Sequence, residues 1–411
     1  MLVRFSIQNF RSFNEQTSIS MVANGRLNQL MGHTMDHTMD LCDIRDMRLL
    51  RGAFVFGANA SGKSNLIRAV NFARKLILDG STQGARLDQY YRQRNGKQGN
   101  GIERPGMFQF DFIINGSVYI YGFTFSYMDG TIGKEWLYQR QRERLNRIIF
   151  LRNEHGVITK LRMIGRPKTR FEVYARDVQF QPRNLLLSTL AQKSGDDVFQ
   201  VFSEVYNWFD NLIVIFPDSM PTMSTMPALS APALPVPPFA SHEADLRREF
   251  SELLSYFDPG IAAIYSQGVG ELLDLSDESA GIQRLFNLVQ LLSVNTENRV
   301  AFIDELDRSM HPNLTLEFVK LFYDLSANKR LQMIATTHES GLLDFNLLRR
   351  DEIWFAERKE EGSTLYSLDS FKVRFDKHIE KDYLLGRYGA APLFTRSPSL
   401  PTMISHNPDD L

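Results

Sequence analysis

The sequence predicts an α/β fold: a parallel, helix-flanked sheet that carries an antiparallel β subdomain and a short helical, proline-rich insertion. Three observations carry this. Strand and helix patterns alternate over the last third of the chain, from residue 261 to residue 336, as in sheets built from crossover connections. Hairpin signals recur between Met107 and Lys160. An apolar run, Gly52–Phe56, leads through a glycine-rich loop into a helical pattern that starts at Lys63.

Residues 2–7 and 51–56 read as short strands, the second nearly continuous in apolar character and so suited to a sheet buried on both faces. Leu66, Ile67, Val70, Phe72 and Leu76 recur at helical spacing, which predicts a helix from Lys63 to about Leu78. Asn115-Gly116 between FQFDFIING and SVYIYGFTFSY is a hairpin turn, with further turns at Asp129-Gly130 and Glu154-His155-Gly156. Helical patterns resume near Asn184 and run past Val198 to Trp208. Seven prolines then fall within residues 217–238, which can continue neither a helix nor a ladder and read as a linker or surface loop. Beyond it the pattern predicts a helix over 243–256, strands near 261–266, a helix over 281–293, a strand over 299–303, a helix over 313–325 and a strand over 331–336. From Thr395 the chain has three prolines and little hydrophobic order, and reads as a flexible tail.

With 47 basic against 48 acidic residues among 411, the net charge of −1 excludes a globally basic nucleic-acid coat. A lone cysteine, Cys42, excludes an internal disulfide framework and a cysteine-based zinc site, and fits a reducing cytoplasm. No apolar stretch approaches the roughly 18 residues of a membrane span. The opening MLVRFSIQNFRSF breaks its apolar residues with Arg4, Asn9 and Arg11, unlike a signal peptide. The expectation is a cytoplasmic protein with no membrane partner.

Gly57-Ala58-Asn59-Ala60-Ser61-Gly62-Lys63-Ser64 matches the pattern GxxxxGK[ST] in full, and Asn65 follows it as a further nucleotide-binding candidate. Glycines let the backbone curl so that successive N–H groups point at phosphate oxygens, and the following helix adds its positive end. Lys63 would reach the β- and γ-phosphates and the Ser64 hydroxyl would ligate Mg²⁺. The strand Arg299–Ile303 ends in Asp304 and Glu305. Consecutive strand positions face opposite sides, so the two acids take different tasks: Asp304 in the Mg²⁺ shell, Glu305 orienting and deprotonating water. Ser279, in Asp277-Glu278-Ser279-Ala280-Gly281, would cap an amphipathic helix whose N-terminus can face an anion. Thr336-Thr337-His338 ends the following strand, where His338 either touches a γ-phosphate or is a satisfied polar residue. HTMDHTMD at 33–40 is a tandem tetrapeptide; it reads as a duplication in a surface loop, with metal binding by His33 and His37 on one helix face as the alternative.

This ordered set resembles an ABC-type P-loop ATPase head of the RecF/SMC/OLD branch, as does the opening Asn9-Phe10-Arg11-Ser12-Phe13. More closely, the chain is similar to the stand-alone ATP-binding proteins of bacterial phage-defence operons, relatives of the RloA, AbiL and PARIS ATPase subunits. Glu135-Trp136-Leu137, Glu278-Ser279, Asp304–Asp307 with His311-Pro312, and Tyr383–Gly389 carry that likeness. It implies a first ATPase lobe over 1–195, a helical insertion and proline-rich linker over 196–258, a second lobe over 259–394 and the tail 395–411. It also implies ATP and Mg²⁺ as cofactors, and two subunits that sandwich two ATP molecules. Each ATP would lie between Gly57–Ser64 of one chain and Ser279-Ala280-Gly281 of the other, with Asp307 crossing the interface and His338 sensing the γ-phosphate. Gln192 is the candidate for the family's loop glutamine. About fifty residues between the halves are too few for a long coiled coil, and no nuclease domain fits after Phe355.

Between Lys134 and Arg170, eleven Lys/Arg stand against three acids, a local net of +8. On hairpins this is either a face for nucleic-acid phosphates or a sheet edge protected by charge. The leading expectation is an ATP-hydrolysing switch whose nucleotide-dependent homodimer or higher assembly controls a separately encoded effector, a nuclease or toxin, in anti-phage defence of the abortive-infection type. The alternative is a RecF-like DNA repair or replication ATPase; a transporter subunit and a non-hydrolysing scaffold fit less well. The loop does not read the base, so the expectation of ATP rather than GTP comes from the resemblance.

Overall fold

The computed structural model describes residues 1–35, 47–93, 101–140, 147–155, 157–161, 173, 181–191, 200–217, 252–257, 279–292, 299–371 and 378–391. Outside these residues lie the expected strands at 261–266, the start of the 243–256 helix, residues 218–238 of the proline-rich segment, Gln192, the Asp36, His37 and Asp40 part of the tandem repeat, and the tail.

The first strands are β1 (Leu2–Gln8), β2 (Thr17–Ser20), β3 (Thr34–Met35), β4 (Leu49–Leu50) and β5 (Gly52–Phe56), followed by helix α1 (Lys63–Asp79). Five strands come next: β6 (Gly106–Ile114), β7 (Ser117–Phe125), β8 (Ile132–Gln139), β9 (Arg147–Arg152) and β10 (Ile158–Leu161). Helices α2 (Leu186–Ala191) and α3 (Gln200–Asp210) precede β11 (Ile213–Ile215). The rest comprises α4 (Ala280–Leu292), β12 (Val300–Ile303), α5 (Pro312–Lys329), β13 (Gln332–Thr336), β14 (Ile353–Lys359), β15 (Gly362–Ser367) and α6 (Ile379–Leu384).

Two sheets organise these elements. One is antiparallel and seven-stranded, in the order β10-β9-β8-β7-β6-β1-β2. The other, β11-β12-β13-β5-β14-β15, is parallel except for its edge strand β15. In the hairpin β6–β7, Ile114 pairs with Ser117, and Asn115 and Gly116 take φ of 45° and 77°. A type I′ turn needs both in the left-handed region, which an Asn-Gly pair supplies.

Strand β5 shows how the layers form. Its alternate residues face opposite ways. Ala53 and Val55 join a core shared with α1, α2, α3 and the antiparallel sheet, whereas Phe54 and Phe56 join one shared with α4, α5 and α6. The three helices α1–α3 therefore lie between the sheets. Phe112 stacks on Trp208 at 4.2 Å between centroids, and Phe110 meets Phe209 edge-on at 5.0 Å. Each fully buried aromatic side chain contributes roughly 1.5–3 kcal/mol relative to exposure. Helix α1 ends where Gly80, at φ 69°, donates its N–H to the Leu76 carbonyl.

Two expectations are corrected. The tandem repeat does not begin in a surface loop: His33, Thr34 and Met35 are buried. His33 stacks on Tyr323 at 3.4 Å and its Nδ1 lies 3.0 Å from the Glu352 carboxylate, so the core holds it. In the basic segment, Arg152 is fully buried beside Glu135, at 3.6 Å. Glu135 in turn accepts N–H bonds from Leu186 and Leu187 and the Tyr121 hydroxyl, capping α2. Arg152 thus serves the interior rather than a charged face.

Candidate functional site

Parallel sheets bind ligands outside the carboxyl ends of their strands. Here three connections meet at those ends: the loop 57–62 from β5 into α1, the turn 304–307 after β12, and residues 337–338 after β13.

The loop curls as its composition requires. Gly57, Ala60 and Gly62 take φ of 155°, 62° and 113°. A Cβ at Gly62 would also meet Ser363 Oγ at 2.5 Å and Ser12 Oγ at 2.7 Å, and one at Gly57 would run into the Ala356 carbonyl. Both positions need glycine for conformation and for space. Lys63 opens α1, and its Nζ donates to the carbonyls of Gly57 at 2.5 Å and Ala58 at 3.0 Å. Burial lowers its pKa to about 8, and the nearby Asp307, Asp304 and Glu305 offset part of that fall. Ser61 Oγ is buried with no hydrogen-bond partner among the described residues. An orphaned hydroxyl costs about 1–3 kcal/mol, a deficit that a phosphate oxygen accepting from it removes.

The two acids differ as expected, but for another reason. The ladder ends at Ile303 and Glu305 turns left-handed, at φ 49°, a conformation that costs a non-glycine residue about 1–3 kcal/mol unless its surroundings hold it. Thr336 Oγ1 does part of that holding: it donates to Asp304 Oδ1 at 2.7 Å and accepts the Glu305 N–H at 2.8 Å. Asp304 is buried; Glu305 is half-buried, and Arg308 donates to its carboxylate at 3.0 Å. Asp307 Oδ1 accepts from Thr337 Oγ1 at 2.7 Å and from the His338 N–H at 3.0 Å, so it ties the two connections together within the chain. Burial, and then the charge of Lys63, hold the His338 pKa below the ordinary histidine value, which leaves the imidazole neutral at pH 7.

Loop, Glu305 and His338 line one cavity of about 850 Å³. The sequence reading gave no site role to the other cations there: Arg11, Arg68, Arg86, Arg92 and Arg358. Arg11 and Ser12 stand in the opening motif, while the others come from α1, the loop after it and β14, which only folding brings together. Asn65 Nδ2 donates to Ser12 Oγ at 2.9 Å, and Arg358 donates to the Ser12 carbonyl at 2.9 Å. The stretch Tyr383–Gly389 braces the loop. Tyr383 and Tyr388 stack on Phe355, at 5.6 and 5.4 Å, and the Ala58 N–H reaches the Ala390 carbonyl at 2.8 Å.

Ser279 Oγ accepts the Ile282 N–H at 3.3 Å, capping α4; Ser279 and Ala280 are exposed and Gly281 lies against the Ser309 carbonyl. None of the three lines the cavity of its own chain. His311, beside Pro312, caps α5 by accepting the Asn313 N–H at 3.2 Å.

The donors fit Mg²⁺. Among the described residues no group of three or more His, Cys, Asp or Glu could cage a metal. Mg²⁺ keeps its waters and usually takes only one or two protein ligands beside substrate phosphates. The Ser64 hydroxyl and the Asp304 carboxylate are of that kind. Of the basic segment, Lys134, Arg140 and Arg147 are exposed, and Lys134 is paired loosely with Glu154 at 3.9 Å. No helix among the described residues is long and apolar enough to cross a membrane.

No curated protein matches the chain. Among solved structures, it is similar to an SMC head bound to the C-winged helix domain of ScpA, at 14% identity over 89% of this chain and 97% of that one, with a TM-score of 0.42. The SMC head domain from Thermotoga maritima is similar at 13% identity over 89% and 98%, also with a TM-score of 0.42. A family model described as "AAA domain, putative AbiEii toxin, Type IV TA system" matches residues 53–344, well over half of the chain and all three connections of the site. The chain belongs to that AAA-domain family.

Proposed function

We propose that the chain is an ATP-hydrolysing switch whose nucleotide-dependent assembly controls a separately encoded effector in anti-phage defence. The observation that carries the reading is the convergence of loop residues 59–65, Glu305 and His338 on one cation-rich cavity. Loop N–H groups, the Ser61 hydroxyl and Lys63 hold the phosphates. Bound Mg²⁺ at Ser64 and Asp304 would neutralise charge on the β- and γ-phosphate oxygens. Glu305 takes a proton from a water whose oxygen bonds to the γ-phosphorus; the bond to the β-phosphate oxygen breaks and ADP leaves with the electron pair. His338 donates a ring N–H toward the γ-phosphate.

Ser279 and Gly281 do not line this cavity and Ser279 is exposed, which suits contact with nucleotide on a second copy. The family description, which names a toxin–antitoxin system, supports the defence part of the reading. The RecF-like alternative loses Arg152 from its basic face but keeps exposed Lys134, Arg140 and Arg147. Light scattering of Glu305→Gln protein with and without Mg·ATP tests the switch. A mass increase with ATP that Ser279→Arg abolishes is expected; a monomer that binds no ATP sinks the proposal. Turnover stimulated by DNA would favour the repair reading instead.

A further inference from the structure

Just past the ends of β11 and β12, one arginine gathers three backbone carbonyls. Arg284, on α4, is 3% exposed. Its Nη2 donates to the carbonyls of Asp304 at 2.7 Å and Glu305 at 2.8 Å, and its Nη1 to that of Phe216 at 3.3 Å. Burial lowers its pKa only to about 10, so the guanidinium remains charged at neutral pH. One planar group thus spans the ends of two strands at the point where the chain turns left-handed at Glu305.

The Glu305 backbone is therefore fixed on both sides. Thr336 Oγ1 holds its N–H and Arg284 holds its carbonyl, and between them they set the direction in which the side chain leaves the backbone. We propose that Arg284 is a positioning residue for hydrolysis: it holds Glu305 in the left-handed turn that presents the carboxylate to the cavity. It does not line the cavity. The inference rests on Glu305 as the general base. It also requires a guanidinium, since an ammonium is a single point charge and cannot bridge two strand ends in a fixed plane.

The test uses full-length Arg284→Lys and Arg284→Met proteins. Nucleotide affinity, melting temperature and single-turnover hydrolysis at saturating Mg·ATP are measured for each against the unsubstituted chain. Expected are an affinity within about threefold, and a hydrolysis rate lower by about a hundredfold, the scale of a misplacement near 1 Å. Arg284→Lys, which keeps the charge, should lose nearly as much rate as Arg284→Met; if the Met protein does not fold, the Lys protein decides. Hydrolysis by Arg284→Lys at the unsubstituted rate overturns the inference alone. So does a loss that follows affinity and melting temperature together, which marks a merely structural role. No hydrolysis by the unsubstituted chain overturns the ATPase reading, and this inference with it.

Discussion

Lys63 enters the phosphate loop with a depressed pKa, and this makes nucleotide affinity depend on pH in a defined way. In the free chain its ammonium is buried against two carbonyls and its pKa is about 8. A bound triphosphate adds negative charge beside it and raises that value, so binding and protonation are linked. Below pH 8 Lys63 is already charged and affinity should be flat. Above pH 8 each binding event must take up a proton, and the apparent Kd should rise about tenfold by pH 9, worth about 1.4 kcal/mol. Titration calorimetry of Glu305→Gln protein with Mg·ATP between pH 7 and 9.5 gives both quantities. Repeating it at pH 9 in buffers of different ionisation enthalpy should reveal an uptake of about 0.9 proton. An affinity that stays flat to pH 9.5, with no proton uptake, would refute the claim that Lys63 is the desolvated phosphate ligand.

Glu305→Gln should lower turnover by about 10²–10⁴-fold with affinity kept within a few-fold; a phosphate-release assay that finds ordinary turnover removes Glu305 as the base. Gly62→Ala places a Cβ at φ 113° against Ser363 and Ser12, and should cost about 1–3 kcal/mol in urea unfolding and weaken nucleotide binding. Arg152→Met leaves Glu135 buried without its cation, an expected loss of about 3–5 kcal/mol. Retention on a DNA column should not change, and a clear drop would return Arg152 to a nucleic-acid face. His33→Ala should destabilise by about 1–3 kcal/mol through Glu352 and Tyr323, and no divalent metal should alter the melting temperature of either protein.

The sequence by itself determined the parts that depend on local pattern. The strand Gly52–Phe56 is apolar throughout because both its faces are covered. The phosphate loop carries glycine at 57 and 62, where positive φ coincides with a neighbour that a Cβ would meet, and the Asn115-Gly116 turn must permit two positive φ values. Such constraints act through a few neighbouring residues and so leave a mark on the sequence. Strands β14 and β15 left a weaker mark, since the charged run from Glu357 to Glu361 interrupts their apolar residues and β14 finds its partner β5 far back along the chain. Tertiary structure alone decided which charges face inward. Arg152 stands in a run of cations, yet its partner Glu135 and helix α2 draw it into the core. Arg11, Arg86 and Arg358 come from separate segments and gather on one cavity. The left-handed turn at Glu305, which no motif announced, is held by Thr336, Arg284 and the Arg308 N–H. A side chain's charge can be read from its letter, but its burial and its partners follow from contacts distant along the chain.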